Sequence, residues 1–140
     1  MIKTLKFGEK EVHFSTSFAW CFNYKSQFGQ DPARAFIPVI KKLGSIPSSE
    51  TAFAIFEEIG IVGVAQIAWS MAKLCDKNIP DPITWIESFG DGFETLDIVT
   101  ELIPDAITSC FASKNSETPS QKELETAPEA ENPEKNPASN

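Results

Sequence analysis

Apolar and polar positions alternate at the start of the chain. Leu5 and Phe7 are separated by Lys6 and preceded by Thr4, while Val12 and Phe14 alternate with Glu11 and His13. Period-two alternation on both sides of Gly8-Glu9-Lys10 predicts a β-hairpin with one apolar face. From Ser15 onward the spacing changes to threes and fours. Ser15-Thr16-Ser17 supplies an N-cap, and a helix over about 17–28 is closed by Gly29. Asp31-Pro32 pairs a capping residue with proline and opens a second helix, with Phe36, Ile37, Ile40 and Leu43 on its apolar side before Gly44. Pro38 falls inside that helix and is expected to kink or split it.

Ser48 and Ser49 then cap a helix carrying Phe53, Phe56 and Ile59, ended by Gly60. In the following stretch, Ile61 to Lys77, apolar side chains cover about two-thirds of the helical wheel, and Gln66, Ser70, Lys73 and Lys77 share a narrow polar stripe. So wide an apolar arc predicts a central core helix with neighbours on most sides. Asn78 and Pro80 end it. Asp81-Pro82 opens a short helix with Trp85, Ile86 and Phe89, stopped by Gly90-Asp91-Gly92. A last helix from about Phe93 carries Leu96, Val99, Ile103, Ala106 and Cys110 in threes and fours, with Pro104 interrupting it. The pattern predicts a mostly α (α+β) fold: a compact bundle of five or six helices with a small N-terminal hairpin.

Composition divides the 140 residues in two. All the aromatic residues lie before Ser113; the stretch from there on holds 4 of the 10 prolines and a single large apolar residue, Leu124. The net charge of −8 splits into about −5 before Ser113 and about −3 after it. This predicts a globular domain over 1–112 and a disordered, acidic, Pro-rich tail or linker over 113–140. An acidic chain with no Lys/Arg cluster is not expected to bind nucleic acid or an anionic membrane unaided. Lysines interrupt the N-terminal apolar run, so no signal peptide is read there. The apolar stretch from Ile61 is interrupted by Gln66, Ser70 and Lys73 and is read as too short and polar to span a bilayer. Cys21, Cys75 and Cys110 are odd in number, widely spaced and set among apolar neighbours, as expected of buried free thiols in a reducing cytoplasm.

The sequence offers little catalytic chemistry. His13, the single histidine, lies on the polar side of a strand, away from any nucleophile motif. One His and three scattered Cys do not make a zinc site. Gly60-Ile61-Val62-Gly63 lacks the lysine and the preceding strand of a phosphate-binding loop. The acid pairs Asp97/Glu101 and Glu57-Glu58 read as solvated helix faces. No enzymatic activity, cofactor or metal is therefore expected.

Aromatic placement suggests a binding role. Phe18, Trp20, Cys21, Phe22, Tyr24 and Phe28 spread over about 200° of the first helix, more than packing against the hairpin would use. The surplus, around Trp20, Tyr24 and Phe28, is either covered by another helix or open to a partner. Trp85, Ile86 and Phe89 pose the same alternative on a short peripheral helix. The seam of the last helix suits either the domain's own core or a partner helix, so self-association is also open.

This layout resembles the tail assembly chaperones of long-tailed bacteriophages. The resemblance is carried by the Ile2-Lys3-Thr4-Leu5-Lys6-Phe7-Gly8-Glu9-Lys10-Glu11-Val12 hairpin and the aromatic helix Phe18-Ala19-Trp20-Cys21-Phe22-Asn23-Tyr24. The Trp69-Ser70-Met71-Ala72-Lys73 helix, followed by Ile83-Thr84-Trp85-Ile86-Glu87-Ser88-Phe89, completes it. It implies a cytoplasmic, non-enzymatic partner of the tape measure protein, one that keeps that long helical client soluble until tail tube subunits assemble and is absent from the virion. In such proteins a longer, frameshifted product often adds a domain that recruits tail tube protein. Glu134-Lys135-Asn136 can be encoded GAA-AAA-AAC, which contains a slippery heptamer, and a tail placed before the fusion point would then act as a linker. Two other roles fit the same residues: a structural virion component such as a head–tail connector or minor tail protein, and a small acidic adaptor that binds one host protein.

Overall fold

A computed structural model describes residues 1–111; the segment 113–140, expected as a tail, lies outside the described residues. Strands β1 (Ile2–Phe7) and β2 (Lys10–Ser15) pair antiparallel around Gly8-Glu9, with Leu5 opposite Val12, Lys3 opposite Phe14 and Phe7 opposite Lys10. One face therefore carries Leu5, Phe7, Val12 and Phe14 with a lysine at each end. Phe7 and Phe14 are fully buried. The two lysines lay their stems over the core and carry their ammonium groups past its edge. Lys3 donates to the Glu101 carbonyl at 3.0 Å and pairs with the Asp105 carboxylate at 3.1 Å. Lys10 donates to the Ser88 carbonyl at 2.9 Å and sits over the Phe89 ring.

Helices α1 (Trp20–Phe28), α2 (Ala33–Leu43), α3 (Thr51–Cys75) and α4 (Pro82–Glu87) follow, and a last helix, α5, spans 95–111. The mostly α fold with an N-terminal hairpin is thus the fold observed. Gly29 closes α1, as expected. Asp81 accepts from the Thr84 N–H at 3.2 Å and acts as the predicted cap, whereas Asp31 accepts from the Ala33 N–H at 2.9 Å one residue before the N-cap position of α2, which Pro32 occupies. Ser48 and Ser49 instead form a 3₁₀ turn with Glu50, without a side-chain capping bond. The helix α2 runs through Pro38 without being split.

The two helices expected on either side of Gly60 are the two halves of α3. Gly60 stands at φ 83°, ψ 158°, a conformation open almost only to glycine, and the helix bends there. The second half is the central element. Val64, Ile67, Ala68, Trp69, Met71 and Ala72 are buried among β2, α1, α2 and α5. The polar stripe is partly used inside the fold. Ser70 is fully buried, with its hydroxyl donating to the Gln66 carbonyl at 2.9 Å, and Lys73 folds over the helix end to donate to the carbonyls of Lys77 and Ile79. By length and composition the whole span Ser48–Cys75 is long and apolar enough to cross a membrane, whereas the stretch from Ile61 on is only its second half. The break at Gly60 and the covered second half give it the place of a core helix in this fold.

Pro104 does not end α5. The turn before it, Ile98–Leu102, widens to a π-helix, with the Ile103 N–H bonding to the Ile98 carbonyl. A proline ring crowds the carbonyl four residues back and brings no N–H, and the wider turn accommodates both. The extra residue also rotates the buried face, so that Ile98 and Leu102 join Val99, Ile103 and Ala106 in the core, while Leu96 is exposed.

Candidate functional site

Two aromatic clusters account for most of the rings. In one, Phe7 meets Phe89 at 5.2 Å and Phe93 at 5.1 Å between ring centres, and Trp85 meets Phe89 at 5.1 Å and Phe14 at 6.5 Å. This cluster anchors the hairpin on α4. Beside it, Gly92 approaches the backbone at Gly8 so closely that a Cβ on Gly92 would lie 3.3 Å from the Gly8 nitrogen, so the two turns touch because Gly92 carries no side chain. In the other, Trp20 packs on Tyr24 and Phe36, and Phe28 bridges Tyr24 and Trp69.

The six candidate residues separate accordingly. Trp20, Tyr24 and Trp85 are buried, which corrects their assignment to a partner face. The Trp20 indole N–H donates to Ser109 Oγ at 3.0 Å, so its polar atom is satisfied inside the protein. Burial also raises the Tyr24 phenol above its ordinary pKa. Phe89 is half-buried in the hairpin cluster. Phe28 and Ile86, also half-buried, come together on the wall of a surface groove of about 680 Å³.

That groove runs between the end of α1, the start of the second half of α3, and α4. Its most exposed apolar side chains are Ile61 (60%), Val62 (65%) and Ile83 (71%), none of which sequence reasoning selected. The polar groups around it are Gln27, Gln66, Asp81 and Thr95. The carboxylate of Asp81 is already engaged, accepting from the Thr84 hydroxyl at 2.7 Å and from its N–H, which lower its pKa in that order. The signal for the groove was present in the sequence. The apolar arc after Gly60 is wider than one buried face requires, and the first turn after a break is where coverage by neighbours is least complete.

Lysines engage Glu57, Glu58 and Glu101, and among the described residues none pairs with Asp97. Glu57 and Glu58 both accept from Lys42, at 2.6 and 2.9 Å, which raises the Lys42 pKa and lowers that of Glu57. Glu101 and Asp105 lie beside Lys3. Among the described residues no three His, Cys, Asp or Glu side chains are grouped as a metal site. His13 bonds Thr4 across the outer face of the hairpin at 2.9 Å. The three cysteines are free thiols, but only Cys21 is buried; Cys110 is half-buried and Cys75 exposed, which corrects the expectation of three buried thiols. Compared with protein-family models, curated proteins and solved structures, the chain matches none.

Proposed function

We propose that this protein is a non-enzymatic tail assembly chaperone that binds the tape measure protein and keeps it soluble while the tail tube is assembled. The observation that carries the reading is the aliphatic groove. Ile61, Val62 and Ile83 stand exposed around a concave wall formed by Phe28 and Ile86. Branched aliphatic side chains along a concave strip suit the apolar face of an amphipathic helix, and a tape measure protein is a long helical client. The net charge of −8 supports the same reading, because self-repulsion would keep a coated client dispersed. On this proposal the protein acts in the host cytoplasm, leaves before the virion is complete, and meets tail tube protein through a frameshifted longer product.

Co-expression with the neighbouring gene products, followed by pull-down, tests it. The expected result is co-purification of a large helix-rich protein whose soluble fraction rises severalfold. If no such protein is recovered or made more soluble, the chaperone reading fails. Presence of the chain in purified particles would favour a structural virion component instead.

A further inference from the structure

Near the start of α1, at the other end of that helix from the aliphatic groove, two thiols meet. The sulfurs of Cys21 on α1 and Cys110 near the end of α5 lie 3.1 Å apart, although 89 positions separate them in the sequence. The preceding residues on each helix are also paired, by the bond from the Trp20 indole to Ser109 Oγ at 3.0 Å, and Trp20 is fully buried. Two adjacent contacts thus fix the register of α1 against α5, and the sulfurs are held in place by the core. Cys21 and Cys110 both line a second pocket of about 500 Å³, with Phe18, Phe22, Lys25 and Asp31 around it, which opens the pair to the surface.

We infer that Cys21 and Cys110 form a thiol–disulfide exchange site which, on reaction with a small disulfide, closes into a reversible clip between the first and last helices. The bond between the two sulfurs favours the thiolate of Cys21, while that bond and burial disfavour ionisation of Cys110, so exchange can start at Cys21. Its thiolate attacks one sulfur of the small disulfide, the S–S bond breaks, and the first thiol leaves with the electron pair and takes up a proton. The Cys110 sulfur then gives its proton to water and attacks Cys21 Sγ, expelling the second thiol. Two protein thiols are oxidised to one disulfide, and the small disulfide is reduced to two thiols. The bond would close a loop spanning most of the described fold, the case in which a cross-link restricts the unfolded chain most.

The test uses the full chain carrying C75S, which removes the exposed third thiol. It is equilibrated with excess oxidised glutathione, trapped with iodoacetamide and weighed intact. The expected product is a monomer lighter by about 2 Da, inert to iodoacetamide, restored by dithiothreitol, and melting roughly 10 °C above the reduced form. The C21S/C75S and C75S/C110S chains should stop at a single glutathione adduct with no such rise. Recovery of two alkylated thiols, of intermolecular disulfides only, or of an oxidised form melting no higher than the reduced one would overturn the inference. None of these readouts depends on the chaperone reading.

Discussion

Two aromatic residues in the first helix meet opposite fates. Trp20 is completely buried under α2 and α5, whereas Phe22 is 67% exposed and touches Phe18 edge-on at 5.8 Å between ring centres. Replacing Trp20 by Ala removes a packed ring and leaves Ser109 without its indole partner, and should cost about 3–5 kcal/mol. Phe22→Ala should stay within about 0.5 kcal/mol, as surface changes do. Urea unfolding of both variants checks this, and similar losses would contradict the assigned core. The sequence could not separate these residues. Both lie in the same broad aromatic arc, and the covering side is decided by Phe36 and Ser109, which are distant in sequence. By contrast, Phe7 and Phe14 were legible as core, because strand alternation leaves one face to bury.

Among the elements, the glycine breaks at Gly29 and Gly60 and the cap at Asp81 were legible, because they act through their own backbone, whereas Ser48, Ser49, Pro38 and Pro104 did not act as their local chemistry suggested. Gly60 is the sharpest case. A Cβ built there meets nothing within 4 Å, so the cost of a side chain comes from its φ of 83° alone. Gly60→Ala is expected to destabilise the protein by about 1–3 kcal/mol. An unchanged unfolding midpoint would mean that the bend in α3 does not need glycine. Pro104 was expected to interrupt α5, but a proline can be absorbed by a widened turn, and that choice is made by burial of Ile98 and Leu102 rather than by the proline itself. The cap at Asp81 gives a pH prediction. Bonds from the Thr84 hydroxyl and N–H hold this carboxyl below its ordinary pKa, so the folded state binds the proton more weakly than the unfolded chain. Its contribution is complete above the unfolded value, near pH ~4, and is lost as pH falls through the lower folded value. Asp81→Asn keeps a capping oxygen and abolishes the titration. Thermal melts of the variant should therefore fall less steeply below pH ~4 than those of the parent chain, and parallel curves would refute the assignment.

At the scale of the whole molecule, the division between covered and open faces of α3 sets where the proposed client would dock. The width of its apolar arc was legible in the sequence and correctly marked the core helix, yet it suggested neighbours on most sides. Buried residues alone do not fill that arc, because Ile61 and Val62 stand exposed in the groove, where α4 adds Ile83. Phe28 and Ile86 were selected from sequence because they belong to aromatic or apolar runs, whereas Ile61 and Val62 were hidden in a run that had already been assigned to the interior. A groove built from exposed side chains can be altered without disturbing the core. Val62→Lys and Ile83→Lys together should leave the melting temperature within a few degrees, since both side chains are mostly solvated. They should also reduce recovery of the helical client at least tenfold, because two ammonium groups would have to be desolvated against its apolar face. Phe53→Ser offers the control: it removes the most exposed ring, at 76%, from the first half of α3 outside the groove, and client recovery should be unchanged. If the double variant still captures the client, binding lies on another face. If Phe53→Ser loses the client as well, exposed apolar area in general is responsible, and the groove has no particular role.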